Sequence, residues 1–341
     1  MKDPYKIAKN ILQSSTSKND IMSISDVFNS IDLYGTSVHE KGGDYCTYRC
    51  FHLENESGIG HITLYRVFPG IELIYNDMNM AYCNKHQKTA SCVMEINYCW
   101  QGRCECLFGE HQYCYMSAGD LSLCSLQDNV HESEFPTSHY NGITVTIDFS
   151  MITSEMKNIL ELLDVDLYRI KKLSQMCDFT IIRANSTIEH IFSELYTVPV
   201  KIQHGYIRVK VLELLIVLTE LNLLENKLSH MYFSKMQIKR IKQIHAFLVE
   251  HFNEHYTIDY LSEHFEISPT VMKKCFKYVY GDSIYAYMKL YRLQVAERLL
   301  KETRLSIGEI AMQIGYTNPN KFTSAFSVKY GMPPTEYRKK V

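Results

Sequence analysis

Apolar and polar residues alternate one by one in CVMEINYCW, where Cys92, Met94, Ile96, Tyr98 and Trp100 share one face while Glu95 and Asn97 share the other. GITVTIDF repeats the period, with Ile143, Val145, Ile147 and Phe149 opposite Thr144, Thr146 and Asp148. A period of two predicts half-buried strands. Turn punctuation at Gln101–Gly102, Gly109–Glu110 and Ala118–Gly119–Asp120 divides 58–149 into short strands of a sandwich or small barrel. Beyond residue 150 the alternation stops. VKVLELLIVLTELNLL is apolar around most of a helix, with Lys210, Glu213 and Glu220 as a narrow polar stripe, which predicts a helix buried on two sides. Leu214, Leu218 and Leu221, at i, i+4 and i+7, are candidate seam residues for a second copy, and burial wholly within the domain is the other reading. Polar residues around 226–236 predict a linker, with Ser229–His230 and Ser234–Lys235 interrupting the apolar pattern.

Helical periodicity resumes near the C-terminus. From Ser306, a candidate N-cap, Ile307, Ile310, Ala311 and Ile314 form one apolar face that stops at Gly315. Thr317–Asn318–Pro319–Asn320 then turns the chain into a second helix striped by Phe322, Phe326 and Tyr330. About fifty residues upstream the arrangement recurs. Ile258, Leu261 and Phe265 form the first stripe, Ile267–Ser268–Pro269 the turn, and Val271, Met272, Phe276 and Val279 the second stripe. Ser268 is placed as N-cap and Pro269 as first helical residue. Phe276 to Gly281 and Phe326 to Gly331 share their spacing, so the pair is an internal repeat bridged by a helix from Ile284 to Leu300. A helix-turn-helix lays its second helix in a DNA major groove, and two copies about 34 Å apart on one face would each reach one. Ordinary core packing accounts for either pair alone but does not predict the repeat.

With 341 residues the chain has room for two domains. No apolar run has membrane-spanning length, and MKDPYKIAKNILQSSTSKND lacks a signal-peptide segment, so a cytoplasmic location is expected. The eleven cysteines are odd in number, which favours reduced thiols over a disulfide framework. Of 36 basic and 38 acidic residues, 237–341 hold 16 and 10, leaving 20 and 28 upstream. The C-terminal part is therefore the basic one, as phosphate binding requires, with a surplus small enough to favour two protomers on DNA.

YMKLYRLQVAERLL followed by IGEIAMQIGYTNPNKFTSAFSVKYGMPPTEYR resembles the DNA-binding domain of the AraC/XylS family of bacterial transcription regulators, over about a hundred residues from Ile238 onward. The resemblance implies seven helices, of which the third and sixth read DNA. Its base-contacting positions fall on Thr270, Lys273 and Lys274 in the first recognition helix and on Asn318, Asn320, Lys321, Thr323 and Ser324 in the second. Ser324 and Ser327 stand where the family commonly has Arg and Lys, which implies weaker binding by the second unit. A solvated helix face is the plain alternative for any single lysine.

The N-terminal stretch MEINYCWQGRCECLFGEHQYCYMSAGDLSLC with FPTSHYNGITVTIDF looks like AraC-family regulators of the pyochelin-regulator type. Gly102, Cys104, Glu105, Gly119, Asp120, Phe135, Pro136, Tyr140, Gly142 and Asp148 carry that likeness. It implies a cupin-like barrel that senses a small molecule, a siderophore in some relatives. Tyr98, Trp100 and Met94 are the candidate effector contacts, with simple core packing as the alternative. No H-x-H pair is present and His111, His131 and His139 are dispersed, which argues against a metal-dependent barrel enzyme. Cys104 and Cys106 on one strand face, near Cys99 and Cys114, leave a metal or redox sensor as the competing function, although no C-x-x-C occurs. A self-alkylating DNA-repair regulator stands behind both.

The expected molecule is α+β, with a cupin-like β-barrel (1–150), a helical dimerisation element (151–225), a linker (226–236) and an all-α double helix-turn-helix (237–341). Its expected partners are promoter DNA, a small-molecule effector, RNA polymerase and a second copy, with no catalytic residue, metal, cofactor or membrane.

Overall fold

The computed structural model describes residues 38–39, 48–85, 93–108, 112–126, 131–176, 179–182, 185–220 and 233–340. It divides into two units, 1–232 and 233–341.

In the first unit the strands are β1 (Val38–His39), β2 (Tyr48–Asn55), β3 (Gly58–Phe68), β4 (Ile71–Asn79), β5 (Tyr82–Lys85), β6 (Val93–Phe108), β7 (Gln112–Ser117), β8 (Leu121–Leu126), β9 (His131–Glu134) and β10 (Tyr140–Asp148). Then come α1 (Ser154–Leu162), α2 (Leu167–Met176), β11 (Phe179–Ile182), α3 (Ser186–Thr197) and α4 (Gln203–Thr219). The main path of the antiparallel sheet runs β1-β2-β3-β4-β10-β6-β8-β11. β6 belongs to two layers: its first half pairs with β10 and β8, and its second half with β7 and β9. The chain therefore does not turn at Gln101–Gly102. Gly102, at φ 80°, bends a continuous strand where a Cβ would lie 1.9 Å from the His139 carbonyl oxygen.

The apolar stripe of the strands packs against helices. Met94, Ile96, Tyr98, Ile143, Val145 and Ile147 share one core with Phe192, Val211, Leu214 and Leu218. The helices at 151–219 are thus built into the strand unit, and β11 lies among them where the sequence pattern suggested only helix. Leu214 and Leu218 are 1% and 0% exposed, so both are spent inside the unit and neither faces a partner. Leu221 lies outside the described residues. The opposite face of the sheet is also covered: Thr144, Thr146 and Asp148 are buried, not solvated, because the second layer packs over that side and Leu64, Ile74, Met78 and Cys99 share a second core with Cys104 and Met116.

The second unit contains α5 (Lys235–Glu250), α6 (Ile258–His264), α7 (Pro269–Tyr280), α8 (Ile284–Glu302), α9 (Ile307–Gln313), α10 (Pro319–Tyr330) and α11 (Pro334–Lys340). Ser234 caps α5 in a reciprocal capping box with Gln237, so helix begins where the sequence suggested the end of a linker. Residues 226–232 of that linker lie outside the described residues.

Candidate nucleic-acid interface

Two helix pairs, α6–α7 and α9–α10, are built by the same local rules. Ser268 caps α7 by accepting the Val271 N–H, and Asn318 caps α10 by accepting the Asn320 N–H at 2.9 Å. Pro269 and Pro319 follow, where a missing N–H costs nothing. Each helix ends on a left-handed glycine: Gly281 at φ 89° donates to the Lys277 carbonyl, and Gly331 at φ 74° to that of Ser327. The first helices match as well, since Thr257 caps α6 and Ser306 caps α9 with Glu309 completing a capping box.

Burying one face fixes what the other presents. In α7, Met272, Cys275, Phe276 and Val279 are wholly buried, which turns Thr270, Lys273, Lys274 and Lys277 outward at i, i+3, i+4 and i+7. In α10, Phe322 and Phe326 are buried and Asn320, Lys321, Ser324 and Val328 are exposed, with Thr323 half-buried. Superposing the C-terminal glycines in sequence sets Lys273, Lys274 and Lys277 against Thr323, Ser324 and Ser327. The first helix offers three ammonium groups where the second offers three hydroxyls. Two of those hydroxyls are already engaged: Ser324 Oγ donates to the Asn320 carbonyl at 3.0 Å and Ser327 Oγ to that of Thr323 at 2.8 Å. Asn318 Oδ1 is likewise committed to its cap, so a base contact there must use the amide NH2. Lys277 and Val328 were absent from the sequence-based set, although Lys277 could have been found as the i+3 and i+4 neighbour of Lys274 and Lys273.

The two pairs are tied together by a buried arginine. Arg292, on α8, donates through Nε to the Phe252 carbonyl at 2.6 Å, through one terminal nitrogen to Glu254 at 2.7 Å, and through the other toward His255 Nδ1 at 3.3 Å. A ring nitrogen that accepts from a guanidinium leaves the proton on the other nitrogen, so His255 Nε2 donates to the Gly315 carbonyl at 3.0 Å. Gly315 has φ 83°, and a Cβ there would meet the Asn253 carbonyl oxygen at 2.3 Å. The 252–255 loop is therefore held between α8 and the turn of the second pair, which fixes the spacing of α7 and α10.

Other candidate residues are placed differently. Tyr98 stacks on Phe192 with centroids 4.2 Å apart, and Met94 is fully buried in the same core. Both belong to the strand–helix core, where they pack against its helices and neighbouring strands. Trp100, half-buried, stacks on Tyr196 at 4.6 Å. Alternation reveals which residues share a face, not which layer covers it. Cys99, Cys104 and Cys114 are buried; the side chain of Cys106 lies outside the described residues. Among the described residues no group of three or more His, Cys, Asp or Glu is arranged to hold a metal.

Residues 261–340 match the family model described as a helix-turn-helix domain. Over 100 residues the chain is 27% identical to the HTH-type transcriptional regulator ExsA of Pseudomonas aeruginosa, covering 29% of this chain and 36% of that protein. Over 85 residues it is 33% identical to the HTH-type transcriptional activator RhaR of Mannheimia succiniciproducens, covering 25% and 30%. Over 122 residues it is 32% identical to the uncharacterized HTH-type transcriptional regulator YisR of Bacillus subtilis, covering 34% and 42%. The chain thus spans roughly a third of the length of these relatives.

Proposed function

We propose that this chain, whose C-terminal unit is a helix-turn-helix domain of the AraC type, is a DNA-binding transcriptional regulator, in the activating role, whose strand-rich unit is a cupin-like small-molecule sensor. The carrying observation is the repeated capped helix pair with an outward stripe of Lys273, Lys274 and Lys277 on one recognition helix. Lysines suit guanine acceptors and phosphates, Asn320 suits adenine, and Val328, 87% exposed on the outward face, suits a thymine methyl. Relatives named as transcriptional activators support the activating role, which implies contact with RNA polymerase.

A second copy fits the small basic surplus. With Leu214 and Leu218 buried, the surface α4 and its entry leave for it is Ile202, Val209 and Ile216, exposed at successive seven-residue intervals. Effector binding then shifts the population between arrangements of the paired units.

The test is promoter binding. Lys273→Ala with Lys274→Ala is expected to weaken affinity at least about tenfold, given roughly 1–3 kcal/mol per contact, with the helical circular dichroism signal preserved. Unchanged affinity removes α7 from the interface. Val209→Lys with Ile216→Lys tests the pairing surface by sedimentation: a wild-type dimer that stays dimeric in this variant refutes it.

A further inference from the structure

Two carboxylates sit in the sheet face opposite the strand–helix core. Thr146, on β10, pairs in register with Glu72 on β4 and with Glu95 on β6, so the two acids flank it on the same face at about two strand spacings, roughly 10 Å between Cα atoms. Glu72 is 3% exposed, and its Oε2 has no hydrogen-bond partner among the described residues. Glu95 accepts the Cys124 thiol at 4.0 Å.

The next rung is polar as well. Asn76 Nδ2 donates to Thr144 Oγ1 at 3.0 Å, Thr144 Oγ1 to Asn97 Oδ1 at 2.7 Å, and Asn97 Nδ2 to Ser122 Oγ at 3.4 Å, a chain across β4, β10, β6 and β8. Asn76 and Asn97 lie on inner strands of the sheet yet remain partly exposed, so solvent reaches these two side chains on a face that is otherwise covered. Thr144, Thr146 and Ser122 are buried beside them, while Asn97 and Cys124 are partly exposed.

We infer that this strip is a ligand site, and that it takes a small aliphatic ammonium compound, a diamine reaching from Glu72 to Glu95. An unpartnered buried carboxylate oxygen is costly, and the cross-strand neighbour Arg66 leaves Oε2 of Glu72 without a hydrogen bond. An ionised carboxylate only accepts hydrogen bonds, and the missing partner is therefore a donor. With their Cα atoms about two strand spacings apart on one face, the two acids can each meet one end of a short chain with nitrogen at both ends. Burial pushes the Glu72 carboxyl up to about 7, against the pull of Arg66 and Arg49 and with the help of Asp148. A bound ammonium supplies the charge that would keep it ionised.

This site rests on the sensor reading of the first unit, and its failure is separable from that of the DNA-binding reading. The full chain is melted with putrescine, butylamine or 1,4-butanediol at roughly 10 mM, well above the Kd of a weak fragment, at about pH 8, where Glu72 is ionised. Putrescine is expected to raise the melting temperature most, butylamine less, and butanediol not at all. Glu72→Gln, which keeps the volume, and Glu95→Gln are each expected to weaken putrescine binding by at least about tenfold, while the exposed Glu161→Gln leaves it unchanged. The inference is overturned if neither amine shifts the wild type, if butanediol matches putrescine, or if Glu72→Gln and Glu95→Gln both respond as wild type does. Promoter binding measured on the same samples reports on the other reading: no amine shift in the wild type with Lys273-dependent DNA binding intact overturns this site alone.

Discussion

Glu72 holds its proton more tightly in the folded chain than in the unfolded one, because burial raises it from 4.5 to about 7. Between those values the native state carries more protons, so the stability contributed by this residue falls as pH rises from about 4.5 through 7, by at most about 3 kcal/mol. Glu72→Gln is expected to remove that slope, which pH-dependent urea unfolding followed by strand circular dichroism would measure. Arg292 acts at the same scale. Its three hydrogen bonds all go to the 252–255 loop, and Arg292→Met leaves the Phe252 and Glu254 carbonyls without it. A loss of about 3 kcal/mol is expected in denaturant unfolding of the second unit. A promoter with both half-elements should lose more affinity than one with the α7 element alone, because the loop sets the distance between recognition helices. Equal losses would show that the spacing is set elsewhere.

At the scale of elements, the two recognition helices share geometry and differ in charge. Thr323→Lys with Ser324→Lys gives α10 the lysines of α7, and is expected to tighten non-specific DNA binding and steepen its log–log salt dependence by up to about 2. A titration at several salt concentrations checks this. Ser306→Ala removes the capping-box acceptor of α9 and should cost about 1 kcal/mol. These helices were legible from the sequence because their determinants are local: Ser268, Asn318, Pro269, Pro319, Gly281 and Gly331 each do their work within one turn of the residue itself. Elements of the first unit were less legible. Gln101–Gly102 carries turn residues but bends a strand, because β6 is held by partners on both sides of it. β11, four residues long, takes its conformation from pairing with β8 and leaves little local pattern to read.

Over the whole molecule, acid is expected to act on the two units in opposite directions. Burial lowers His245, stacked on Tyr280 and hydrogen-bonded to the Tyr287 hydroxyl at 2.8 Å, from 6.5 to about 4. The unfolded chain binds that proton first, so the second unit loses up to about 3 kcal/mol as pH falls from about 6.5 to 4, while the Glu72 contribution to the first unit improves over the same range. Calorimetry across pH 4 to 7 should show the transition of the second unit moving down as acid is added, and His245→Phe should hold it in place. The sequence by itself determined the α+β composition, the strand alternation, the repeated helix pair and the outward lysines, since all follow from period, caps and burial of one helix face. Only the tertiary structure decided which side of the strands the helices cover. That choice sent Met94, Tyr98, Leu214 and Leu218 into one core and left Glu72, Glu95 and Thr146 on the opposite face. A strand presents both its faces with equal regularity, and the layer that packs on each is set by residues far away in the chain.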